Sequence, residues 1–140
     1  MPEGLSALHW WLMSDYQTSD IYEFAVVTYD NVRMLWLDKY LGKKGGEPFW
    51  IASDPAYWQV RAVLVLPQIS EDETFVNDCR TSGATQDDPE IFAVAKTKPN
   101  ADLNLDIIKQ AWRANRKIST FEPIPTNNIV CFISPMEYWR

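Results

Sequence analysis

The chain has 140 residues, 46% hydrophobic and 23% charged, which is the composition of one ordinary folded domain. Aromatics at 14% exclude wholesale disorder, and no uninterrupted apolar run is longer than that at residues 62–66, far short of the roughly 18 a transmembrane helix needs. Thirteen basic residues against nineteen acidic ones leave a net charge of −6, which argues against nucleic acid as a partner, because affinity for phosphate comes from Lys and Arg.

In chain order, residues 5–13 are apolar nearly all round and read as a short helix capped by Ser6. Residues 15–20 read as a loop. Residues 21–29, rich in β-branched and aromatic side chains, read as a strand. The turn pair Asp30-Asn31 tolerates left-handed geometry. Residues 32–40 fit either a helix or the return strand of a hairpin; the short connection and the aromatics favour the strand. Turn signals follow at 42–46 and 53–55, with a short strand at 49–51 between them. Residues 57–66 read as a central strand, covered on both faces where the run becomes wholly apolar.

Residues 68–90 carry the whole charge excess. Glu71, Asp72, Glu73, Asp78, Asp87, Asp88 and Glu90 face Arg80 alone, while the other 117 residues are neutral. Their like charges and lack of hydrophobic period predict a long, exposed, acidic loop. A strand follows at 91–96. Residues 103–115 read as a helix, with Asn100 or Asp102 as cap, bases in the last turn, and Leu105, Ile108 and Trp112 as its apolar stripe. Residues 118–124 read as extended and 129–133 as a strand.

The expected fold is therefore α+β: a mostly antiparallel sheet in hairpin order, with the helix at 103–115 packed on one face. The alternative is a β-sandwich with one helix. Residues 1–140 form a single domain in this reading, with the acidic loop at 68–90. No basic n-region of a signal peptide is visible ahead of Arg33, so the default expectation is a cytoplasmic protein, or an exported one if an upstream signal has been removed. Cys79 and Cys131 are either free thiols or a disulfide closing a loop of about 53 residues.

The chemistry-bearing motifs are few. Two cysteines and the single His9 do not make a zinc site, and no nucleotide-binding or nucleophile-elbow signature is present. No cofactor, metal or catalytic residue is assigned. Seven tryptophans are far above ordinary usage. Trp112 and Trp58 belong to the expected core; one of the adjacent Trp10 and Trp11 is expected at the surface, where exposed indoles anchor interfaces. The leading expectation is a soluble, non-catalytic acidic binding domain, inhibitor- or immunity-like. It would steer a basic protein partner with Glu71, Asp72, Glu73, Asp87 and Asp88 and anchor it with Trp10 or Trp11. The alternatives are a small enzyme using the carboxylates of the acidic segment and a carbohydrate-binding module with tryptophan platforms.

Overall fold

The computed structural model describes residues 6–14, 21–43, 56–100 and 104–132. The chain divides into two compact units, Met1–Leu66 and Pro67–Arg140. Every regular element among the described residues is a strand.

The first unit is a four-stranded antiparallel meander in the order β1 (Ser6–Ser14), β2 (Ile21–Tyr29), β3 (Val32–Lys43) and β4 (Ala56–Val65). Asp30 and Asn31 join β2 to β3 with φ of 49° and 64°, the left-handed pair that a two-residue hairpin needs to match strand twist. Register then sorts the side chains. Phe24 lies opposite Leu37 and Val26 opposite Leu35 on one face, while Ala25 lies opposite Trp36 and Val27 opposite Met34 on the other. Phe24, Val26, Leu35 and Leu37 are fully buried, as is Val27 on the second face.

The second unit stacks two small sheets. One runs β10 (Thr120–Pro123), β9 (Ile108–Asn115), β7 (Ile91–Lys96), β5 (Glu73–Val76); the other runs β6 (Cys79–Thr81), β11 (Ile129–Phe132), β8 (Asn104–Leu105). Val76, Ile91, Ala93, Ala95, Ile108 and Ala111 from the first sheet share one core with Cys79, Leu105, Ile129 and Cys131 from the second. Cys79 and Cys131 are directly opposed in the β6–β11 ladder and joined by a disulfide buried in this core. The opposite face of the larger sheet carries Phe75 stacked on Phe92, ring centroids 5.7 Å apart.

The α+β expectation is overturned. No helix packs on a sheet among the described residues, and residues 104–115 are two strands in different sheets. Leu105 and Ile108 are buried in the shared core, but Trp112 pairs with Phe92 on the other face of its sheet. The helical spacing had a different origin. The chain crosses between sheets at Asp106 and Ile107, and a bulge at Lys109 shifts the register between Val94 and Ala95, so residues of two strands and two faces mimic one stripe. The bases read as a helix end belong to the β9–β10 hairpin. There, Asn115 Oδ1 accepts hydrogen bonds from the Lys117 and Ile118 amides, an Asx-type turn. The helix expected near residues 6–13 is likewise strand β1; a short run apolar on all sides cannot be assigned by period alone.

The expected acidic loop is also not one loop. It contains β5 and β6, and Thr74, Phe75, Val76 and Cys79 within it are buried. Residues 57–66 are not a central strand: β4 lies at the end of its sheet order, paired with β3 alone among the described residues. Of the turn expected at 42–46, Gly42 and Lys43 are instead the last residues of β3; its remainder, the strand at 49–51, the turn at 53–55 and the loop at 15–20 fall outside the described residues.

Candidate functional site

Four of the seven acids of residues 71–90 fall into two groups. Asp72 and Glu73 sit beside Lys96, at one end of β7; Asp88 and Glu90 sit beside Ile91, at the other. Six residues of strand separate the two ends by about 17 Å at ~3.3 Å per residue. Each group is matched locally. Asp72 accepts a hydrogen bond from Lys96 Nζ at 2.6 Å, and this contact, with one from Ser70, holds its carboxyl down to about 2. Glu73 is lowered by hydrogen bonds from the Ser70 amide (2.9 Å) and hydroxyl (2.7 Å). Asp87 pairs with Arg80 at 3.0 Å. Asp88 pairs with Arg113 at 2.6 Å, and Glu90 bridges Arg113 and Arg116. Of the five acids expected to steer a partner, only Glu71 has no such contact described.

The Asp88–Arg113–Glu90 group thus ties the loop after β6 onto the adjoining ends of β7 and β9. Arg113→Ala should cost about 1 kcal/mol, since half-buried pairs gain little over solvated ions. Urea midpoints in low and high salt will check this: the difference between the two chains should shrink as salt screens the pairs. A difference that is independent of salt would assign the loss to packing of the Arg113 stem.

Trp10 and Trp11 lie in β1, in register with Ala25 and Phe24. Trp36 and Trp58 are half-buried and Trp112 is buried; Trp58 meets the Tyr40 ring edge-on at 5.4 Å. None of these three stands out as an exposed platform. A hollow of about 250 Å³ borders Gln110, Trp112, Pro123 and Ile124, smaller than the ~300–1,000 Å³ of ordinary small-molecule sites.

Two features went unseen in the sequence. The first is a pair of carboxyls. Glu23 and Asp38 are directly opposed across β2 and β3, and Asp38 is only 6% exposed. Burial, then the charge of Asp38, pushes Glu23 up to about 7; burial raises Asp38 to about 6 despite a hydrogen bond from Glu23 that lowers it. The pair therefore holds a proton between its members close to neutral pH. Asp38 Oδ1 and the Nε1 of Trp36, two residues away on the same face, are both buried without a hydrogen-bond partner. Nothing in the spacing of residues 23 and 38 announces this contact; only the hairpin register creates it.

The second feature is the outer edge of β4. Val60, Val63 and Val65 are in register with Asp38, Trp36 and Met34, alternate residues of β3, so they share one face of the sheet. They are 44%, 52% and 64% exposed, and Tyr57 at the start of the strand is 51% exposed. The Leu66 amide donates to the Arg33 carbonyl of β3 at 2.9 Å. Backbone groups alternate in direction along a strand. The amides and carbonyls of Val63 and Val65 therefore point away from β3, toward the edge that no other described strand pairs with. Arg61 is the only charged residue of the strand. It sits at a bulge between Leu37 and Asp38 of β3, the kind of device that guards an edge; the 62–66 half has no such guard. The sequence signal for this edge is the single charge in ten residues, a pattern that a buried central strand shares.

The chain matches no protein-family model, no curated protein and no solved structure.

Proposed function

We propose that the chain is a non-catalytic protein-binding module that takes an extended segment of a protein partner along the outer edge of β4. The observation that carries this is the apolar 62–66 half of that strand, paired on its outer side with no other strand among the described residues, with Val63 and Val65 exposed beside outward-facing backbone groups. A strand added there gains main-chain hydrogen bonds, and its alternate side chains lie against Val63 and Val65. The segment this edge selects is extended and apolar at alternate positions. The acids of residues 71–90 are a weaker basis for recognition than their number implied, because they are split between two ends of a sheet and compensated by Lys96, Arg80, Arg113 and Arg116. The Cys79–Cys131 bond within the core supports work in an oxidising compartment rather than in the cytoplasm.

A displayed library of random decapeptides selected on the immobilised chain tests the proposal. Enriched sequences should alternate apolar and polar residues. Their affinity should fall at least about 10-fold in Val63→Lys/Val65→Lys, a loss of about 1.4 kcal/mol or more, because a charge then stands at each apolar contact. Neutralising Glu71, Asp72, Glu73, Asp87 and Asp88 together should leave it within about twofold. Binders that survive the two lysines and are lost on neutralisation would return the site to the acids.

A further inference from the structure

Resting on the strand-adding edge just proposed, we infer that in the absence of a partner β4 is closed by β4 of a second copy, antiparallel, with Leu64 of one chain opposite Leu64 of the other. Antiparallel pairing of two identical strands is two-fold symmetric, so an open edge is its own complement wherever the side chains permit. Three registers place the outward-facing backbone of Val63 and Val65 opposite outward-facing backbone, and local chemistry separates them. Val65 opposite Val65 sets Val63 against Pro67, which has no N–H to give. Val63 opposite Val63 runs the ladder into the Arg61 bulge on both sides, where pairing is disrupted. Leu64 opposite Leu64 avoids both. It pairs Val63 with Val65 twice, makes reciprocal backbone hydrogen bonds at each of those pairs, and leaves Arg61 beyond the ladder. Both sides of the contact are then apolar, with Val63 and Val65 on one face and Ala62, Leu64 and Leu66 on the other.

The contact is short, so the dimer is a weak one, populated above roughly 100 µM. The same edge cannot hold a partner segment and a second copy together, so the dimer is the self-covered state of the binding strand.

Sedimentation equilibrium from about 1 to about 500 µM should show the mass rising from 16.2 kDa toward twice that value, and Val63→Lys/Val65→Lys should stay monomeric. These side chains are exposed, and circular dichroism will confirm that the variant is folded. The register is read by cross-linking. Both native cysteines are bonded to each other, so Val63→Cys and Val65→Cys each introduce a single free thiol. On oxidation, a mixture of the two should form the mixed dimer at least about five times faster than either forms its own, since proximity sets the rate. A chain that stays monomeric throughout overturns the inference, as does a dimer that persists in the double lysine variant. If selected peptides still bind the monomeric chain and are lost in that variant, only the second-copy proposal has failed; if they bind regardless of the lysines, the edge itself is not the binding site.

Discussion

Replacing both cysteines, Cys79→Ala with Cys131→Ala, should lower stability by about 4 kcal/mol, the loss expected for opening a loop of about 53 residues. The bond spans a sequence separation of 52 and ties β6 to β11 inside the core that the two sheets of the second unit share. Those strands are three and four residues long, too short to rely on ladder hydrogen bonds alone. Replacing both residues avoids leaving a lone thiol at a buried position, although each alanine also sacrifices some packing. Equilibrium urea unfolding of the variant is the measurement, with the native chain in reducing buffer as a second route to the same state. A cost under about 1 kcal/mol in both would show that the core holds β6 and β11 together without the bond.

The Glu23–Asp38 pair should make the chain less stable as pH rises. Both folded values, about 7 and about 6, lie above the ordinary 4.5 and 3.8. Between those limits the folded chain binds protons that the unfolded chain has released, so stability falls with rising pH across that window. The favourable contribution is complete below about pH 4, is lost as pH passes through about 6 and about 7, and is absent at pH 8. Asp72 behaves oppositely, since its value is lowered. Its contribution is present above the unfolded value of 3.8 and is lost only as pH falls toward about 2, so the two effects occupy different windows. Glu23→Gln removes one charge and keeps a side chain that can donate to Asp38. At pH 8 it should stabilise the chain by about 1–2 kcal/mol, the full shift being worth more but reduced by the partial access of water to Glu23. At pH 4 the variant and the native chain should match. Thermal or urea unfolding of the two at pH 4, 6 and 8 will decide. A difference that does not grow with pH would show that the carboxyls do not meet in the folded chain.

By itself the sequence determined the strand at 21–29 and favoured its return at 32–40, because a two-residue left-handed turn next to a β-rich run suits a hairpin; the register settled the second strand. It also picked out Leu105, Ile108 and Trp112 as buried, since large apolar side chains tend inward in any backbone conformation, but not Ala111 and Ala114, which are buried beside them, nor the exposure of Ile107. What it left open was everything that depends on pairing between distant segments. A bulge at Lys109 and a change of sheet at Asp106 produced helix-like spacing out of two strands, and no local rule separates the two origins. The acid count of residues 68–90 was plain, but its meaning was not. Lys96, Arg113 and Arg116 are brought to those acids by the β5–β7–β9 order, and a steering surface became largely an internal set of ion pairs. The tertiary structure likewise decided that the apolar strand 56–65 lies at an edge, because position in a sheet is set by which neighbours pair with a strand and not by its own composition. The Glu23–Asp38 contact and the open backbone of Val63 and Val65 follow from register, which only the folded pairing of β2, β3 and β4 establishes.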